Sequence, residues 1–255
     1  MALFIDGMLN SLLELQSYEN RILDVASTEN IDVTGKARIA KERLASELRL
    51  FLRRNSPSDS FWALTARVNV DDVVVSDPMK RWHAYETLSL IYQDAYNNQL
   101  NDRYLGKWKE YAQLAKGALL TLFEVGIGIV RNPAPKASGP ALIVGGGTGG
   151  GTGYYLSVAW VNGTGEEGQP SDVQQAFSDG TTAMQVTVAN PPKNVTGWNL
   201  YAGASPDTLA LQNAVPMGLS EIWSEPTTGL SSGRRPSYGQ EPDCWIIDRR
   251  AIARG

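Results

Sequence analysis

The apolar positions of this chain change their period once, near residue 132. Before it they recur every three or four residues, as on one face of a helix; after it they alternate, as along a strand. Four helical stretches stand out in the first part. Leu9, Leu12, Leu13 and Leu15 open a short amphipathic segment. Ala37, Ala40, Leu44, Leu48, Phe51 and Leu52 form a second stripe, with Arg43 and Glu47 expected to pair at i,i+4 on its exposed side. The third has Asp77 as its expected N-cap and Pro78 at the first helical position, followed by Trp82, Tyr85, Leu88, Ile91, Tyr92, Ala95 and Tyr96. The polar run Asn97, Asn98, Gln99 weakens it before a new start at Asn101 or Asp102. The fourth stripe then follows: Leu105, Trp108, Tyr111, Ala112, Ala115, Leu119, Leu122 and Phe123. So short a connection makes the last two helices antiparallel neighbours. Between the second and third, Val70 to Val75 fits a short strand or a turn of helix equally well.

The second part reads as strands separated by turn residues. The segment 132–140, NPAPKASGP, holds three prolines and reads as a linker. ALIV (141–144) precedes a glycine-rich run. YYLSVAWVN (154–162) then sets Tyr154, Leu156, Val158 and Trp160 on one face. After the loop 163–171 come MQVTVA (184–189) and WNLYAG (198–203), the latter with Trp198 and Leu200 facing one way. Short strands at this spacing predict an antiparallel β-sandwich. The expected class is α+β: a helical domain over 1–135, a sandwich over 136–232, and an extended tail over 233–255 with little structure of its own.

Composition narrows the function. Residues 1–136 carry 17 basic and 17 acidic side chains. Residues 137–248 carry Lys193, Arg234 and Arg235 against ten acids, and the last seven residues add three arginines. Phosphate binding needs clustered cations, so no broad nucleic-acid face is expected. No apolar run approaches the roughly 20 residues of a membrane span. The opening MALFIDGMLNSLLELQ lacks a basic leader, so no signal peptide is expected. His83 and Cys244 are the only residues of their kinds. That inventory argues against zinc sites and His-dependent nucleophiles, and no metal, cofactor or catalytic residue is assigned.

Several motifs tempt and fail. Gly145, Gly147 and Gly150 satisfy G-x-G-x-x-G after an apolar run, but a strand follows where a phosphate-binding turn needs a helix N-terminus. Asp71–Asp72 and Glu166–Glu167 are adjacent carboxylates whose side chains diverge, so neither makes an acid/base couple. A weak Ca²⁺ site in 163–171 competes with a plain solvated turn, which is the better reading. Asn162-Gly-Thr and Asn194-Val-Thr match the glycosylation sequon and are read as turn chemistry.

Two resemblances meet in the chain. MKRWHAYETLSLIYQDAYNNQLNDRYLGKWKEYAQLAKGA (79–118), preceded by KARIAKERLASELRLFLRR (36–54), resembles the helices of bacteriophage head-to-tail adaptor, or connector, proteins. The segment 153–230, with GYYLSVAWVNGTGEEGQPS and GWNLYAGASPDTLALQ, is similar to fibronectin type III and immunoglobulin-like modules of phage structural proteins. The resemblance implies a non-enzymatic virion protein of the neck. It would form a homo-oligomeric, dodecameric ring between portal protein and tail protein, through which viral DNA passes unread. In the tail, Trp245, Ile246 and Ile247 are expected to dock on a partner, with Arg249, Arg250 and Arg254 meeting acidic surface. The rival reading is a tail or surface module whose sandwich adheres to host carbohydrate through exposed aromatics such as Trp223 or Tyr201.

Overall fold

A computed structural model of the chain describes residues 1–55, 68–100, 102–144, 153–177 and 183–248. The class is α+β: among the described residues, five α-helices in the N-terminal half, then antiparallel sheets. The chain forms two compact units that interleave in sequence. A helical unit comprises residues 7–129 with 242–255, and a β unit comprises 1–6 with 130–241.

In the helical unit, α1 spans Leu12–Tyr18, α2 Ile22–Thr28, α3 Val33–Asn55, α4 Asp77–Gln99 and α5 Asp102–Val125. Ser11 caps α1 with a reciprocal box: the Glu14 N–H donates to Ser11 Oγ, and the Ser11 N–H to the Glu14 carboxylate. The cap of α4 is Ser76 rather than Asp77, which shifts Pro78 to the second helical position. Pro still fits there, since its absent N–H lies among those the first turn leaves unbonded. Helix α4 is central. Its buried residues, from Met79 and Trp82 through Ala84, Leu88 and Leu90 to Ala95, lie around most of its circumference, and it packs against α1, α2, α3 and α5. Leu100 takes a left-handed conformation (φ 50°) and returns its N–H to Tyr96 O, so α5 reverses on α4 after a two-residue connection, as expected. Arg43 pairs with Glu86 of α4 at 2.5 Å, where the sequence pattern suggested Glu47. Helix α2 went unread in the sequence, since its stripe is only Ile22 and Ala26.

Residues 70–75 take the helical turn of the two forms the sequence allowed, followed by an isolated bridge rather than a strand. Val70–Asp72 make a 3-10 turn, and Val73 then bridges Ile129. Ile129 lies in β1 (Ile127–Ile129), which runs antiparallel to the last strand, Cys244–Ile246.

In the β unit, β2 is Ala141–Val144, β3 Gly153–Asn162, β4 Gln174–Phe177, β5 Gln185–Thr187 and β6 Val195–Gly203. Shorter strands follow: β7 Ala210–Leu211, β8 Met217–Gly218 and β9 Trp223–Ser224; the last strand of the chain, Cys244–Ile246 of the helical unit, is β10. One sheet has the order β2-β5-β9, the other β4-β3-β6-β7, with β8 also on β6. The long β3–β6 pair opposes Trp160 to Trp198 and Val158 to Leu200. Leu156, Val158, Trp160, Trp198 and Leu200 share one buried cluster with Val186 of β5 and Trp223 of β9, so both sheets feed a single core. The reverse face of β3 and β6 buries Ala159 and Tyr201 in a smaller cluster with Leu209.

Candidate functional sites: the C-terminal ribbon and the Glu167 cluster

The C-terminal strand is paired within its own unit. Ile127 faces Ile246, Gly128 faces Trp245 and Ile129 faces Cys244, and the Asp243 N–H donates to Ile129 O at 2.8 Å. Alternation then sorts the side chains. Ile246 is buried with Ile127 and Ile129, while Trp245 and Ile247 stay 45% and 56% exposed. Two glycines make this seat. A Cβ on Gly128 would stand 2.9 Å from Pro242 and 3.5 Å from the Trp245 ring, and one on Gly126 would stand 2.8 Å from Ile247 Cγ2. Gly126 also has φ +102°, which side chains other than glycine rarely adopt.

The expectation of a tail with little structure is therefore corrected for 244–246. A strand forms because Ile246 completes an apolar layer that β1 leaves open. Of the predicted docking residues, Ile246 serves this internal layer, and Trp245 and Ile247 form its outer face. Arg249, Arg250 and Arg254 lie outside the described residues, as do Gly145, Gly147 and Gly150.

The β unit holds a second constellation, centred on Glu167. Its side chain is only 8% exposed. Tyr201 Oη donates to Oε1 at 2.6 Å and Asn199 Nδ2 to Oε2 at 2.8 Å. Ser237 Oγ donates to Oε1 at 3.3 Å, and the Arg234 guanidinium bonds Oε2. The guanidinium carbon lies 5.6 Å from the Tyr201 ring centroid, within cation–π reach. Burial, and then the carboxylate bond, push the Tyr201 phenol well above its usual value, so it stays a neutral donor. Burial works against the Arg234 charge, but the hydrogen bond and charge of Glu167 outweigh it.

Glu167 bridges Val161 of β3, and the adjacent Glu166 side chain points the other way. Its Oε2 and the Asn132 carbonyl each accept from both Asn162 Nδ2 and Gln240 Nε2, at 2.8 to 3.0 Å. Amide donors thus fill the oxygen cluster that a Ca²⁺ ion would need. Asn162 Oδ1 accepts from the Thr164 and Glu166 N–H groups, which is the turn chemistry expected of that sequon. Among the described residues no group of three or more His, Cys, Asp or Glu side chains is placed to hold a metal.

His83 is fully buried. Its Nε2 lies 2.9 Å from Ala37 O and its Nδ1 3.0 Å from Asn10 Oδ1, an amide whose O and N ends interchange by a flip, so that its NH2 end can donate to a neutral ring. A carbonyl only accepts, so Nε2 carries the proton. Burial lowers its pKa to about 4, leaving a neutral structural residue. The aromatic stripe of α4 likewise goes to packing: Tyr92 stacks on Tyr111 and Tyr96 on Trp108. Trp223 and Tyr201, named above for carbohydrate binding, are buried. A polar cavity of about 260 Å³ beside the start of α4, lined by Asn10, Glu14, Ser17, Tyr18, Asp77, Lys80 and Arg81, has mixed charge, with Lys80 paired to Glu14.

The Glu167 cluster was missed in the sequence. Its members span residues 167 to 237, and only the Trp-x-x-Tyr strand around Asn199 and Tyr201 gave a local signal. Among the described residues no helix is long and apolar enough to cross a membrane. No protein-family model, curated protein or solved structure matches the chain.

Proposed function

We propose that the protein is a structural component of a bacteriophage neck, a subunit of a ring between portal and tail that extends the DNA channel. The observation that carries this reading is the α3–α4–α5 arrangement. A long helix, tied to α4 by Lys36–Asp94 and Arg43–Glu86, precedes an antiparallel pair locked by aromatic stacking. It is the helix order that the resemblance to adaptor proteins implies, and its stiffness suits lateral packing in a ring. The β unit is read as a fibronectin type III or immunoglobulin-like sandwich, a reading supported by two antiparallel sheets that feed one core. The chain is read as non-enzymatic, acting by assembly with copies of itself, the portal and a tail protein. Trp245 and Ile247, both exposed, are its proposed contact residues, with Arg249, Arg250 and Arg254 following them.

Imaging the neck of purified particles at subunit resolution tests this. The expected result is a closed ring below the portal, with α4 and α5 at the subunit boundary. A position at the tail tip or on the capsid exterior would replace it with the binding-module reading. That alternative has lost its named aromatics to the core, and among the described residues the most exposed aromatic left to it is Tyr238, at 90% exposure.

A further inference from the structure

We propose that the Glu167 cluster is a guanidinium-recognition site, filled within the isolated chain by Arg234 and able to take an arginine from the C-terminal run of a second copy. The receptor half is rigid. Tyr201 and Asn199 are buried on β6, and Asn199 is itself held by Asn213 Nδ2 at 2.8 Å. They orient a nearly buried carboxylate with neutral donors, which leaves its charge for a cation. The Tyr201 ring supplies a face against which a planar guanidinium can lie.

The occupant half is loosely held. Arg234 is half exposed, and residues 231–235 are all exposed. Polar contacts hold this segment: the Leu211 N–H to Arg234 O at 2.9 Å, and Gln212 to the Ser231 backbone. A segment without buried apolar side chains is displaced at modest cost. The vacated carboxylate is another matter, because a buried charge left unpaired is strongly unfavourable. The site therefore exchanges one guanidinium for another rather than standing empty.

The chain carries a matching ligand. Arg234-Arg235 is one of two such pairs in the C-terminal quarter; the other is Arg249-Arg250, followed by Arg254 with no acid in the last seven residues. The β unit carries nine acidic side chains against five basic ones, so it attracts such a segment. Receptor and ligand belong to different units of the chain. Exchange between copies is then a head-to-tail contact, the kind that closes into rings. The proposal rests on the β-unit site and the C-terminal arginines and does not depend on the neck reading.

The test uses the full chain, its Arg234→Ala variant, and a fluorescent peptide of residues 248–255. Arg234→Ala is expected to bind the peptide at least about tenfold tighter than the unaltered chain, which has its own arginine in place. A peptide with lysines for its arginines should bind at least about tenfold weaker, because lysine offers a point charge and no planar fork. Adding Glu167→Gln to Arg234→Ala should abolish binding. Should that double variant fail to fold, chemical rescue decides: millimolar methylguanidinium raises the Tm of Arg234→Ala and leaves that of the unaltered chain unchanged. In sedimentation, Arg234→Ala should self-associate with rising concentration, and lose this when Arg249, Arg250 and Arg254 become Ala. Equal peptide binding by both chains, binding that survives Glu167→Gln, absence of rescue, or a monomer at every concentration would overturn the proposal.

Discussion

The helical unit and the β unit solve the burial of polar groups in opposite ways. In the helical unit, buried polar side chains bond one or two nearby partners: His83 meets Ala37 O and the Asn10 side chain, Thr87 donates back to His83 O, and core tyrosines reach the carboxylates that follow the two short helices. Tyr111 donates to Glu19 at 2.8 Å and Tyr104 to Glu29 at 3.0 Å, while their rings pack with Tyr92. In the β unit, polar groups form closed networks, and their members come from distant parts of the chain. Asn132, Asn162, Glu166 and Gln240 bond one another, and Glu167 collects partners from 199 to 237. The helices make their own backbone hydrogen bonds, so side chains need only pack. The irregular segments 130–140 and 231–241 have no ladder, and side-chain amides supply the missing partners instead.

The largest expected effect separates the two units by their apolar cores. Trp198 is fully buried at the centre of β6, and its indole N–H donates to Gly218 O at 2.9 Å. Trp198→Ala should destabilise the β unit by about 3 to 5 kcal/mol. The helical circular-dichroism signal should persist at denaturant concentrations that have already unfolded the strands. Simultaneous loss of both signals would show that the two units unfold as one.

Acid should act on the helical unit through His83. Burial is the main cause of its low pKa; the Ala37 hydrogen bond opposes it, Lys41 adds to it, and Glu14 opposes it. The unfolded chain takes up a proton near pH 6.5, whereas the folded one resists down to about pH 4. The stabilisation is complete above pH 6.5 and is lost as pH falls towards 4, by about 3 kcal/mol in all. Urea titrations of the helical signal between pH 7 and 4 measure it. His83→Gln, which keeps an amide donor for Ala37, should flatten that slope.

Gln240→Ala probes the closed network. It removes the acceptor of the Ala134 N–H and a donor to both Asn132 O and Glu166. Stranded buried groups of this kind cost about 1 to 3 kcal/mol, so the loss should fall short of that at Trp198. The effect should appear as a lower Tm of the β unit with the helical transition unmoved.

Much of this contrast was legible in advance, and unevenly so. Periodicity located α3, α4 and α5, and the alternation of Leu156, Val158 and Trp160 gave the inward face of β3. Those signals are local, written within a few residues of one another. The arrangement of 244–246 was illegible because Trp245, Ile246 and Ile247 form so short an apolar run that nothing local says which member turns inward, and their place depends on β1, more than a hundred positions earlier. The Glu167 cluster was hidden for the same reason. Nothing near a surface-like Glu-Glu pair announces that one member will be buried under an arginine 67 positions later.

The smallest effect tests whether charge pairs at the helical rim contribute to stability at all. Arg38 and Glu42 pair at 2.9 Å along α3, but both side chains are about two-thirds exposed. Arg43 pairs with Glu86 across the α3–α4 boundary, and the Glu86 side chain is only 15% exposed. Water and salt screen the first pair almost completely, so Arg38→Ala should change stability by no more than about 0.5 kcal/mol. Arg43→Ala breaks a pair that joins two helices and is shielded on one side, and should cost about 1 kcal/mol, less in high salt. Equal effects from the two substitutions would mean that the rim charges act only through helix propensity. The helical unit would then be held by its aromatic and aliphatic packing alone, while the β unit would keep its dependence on a buried ionic cluster.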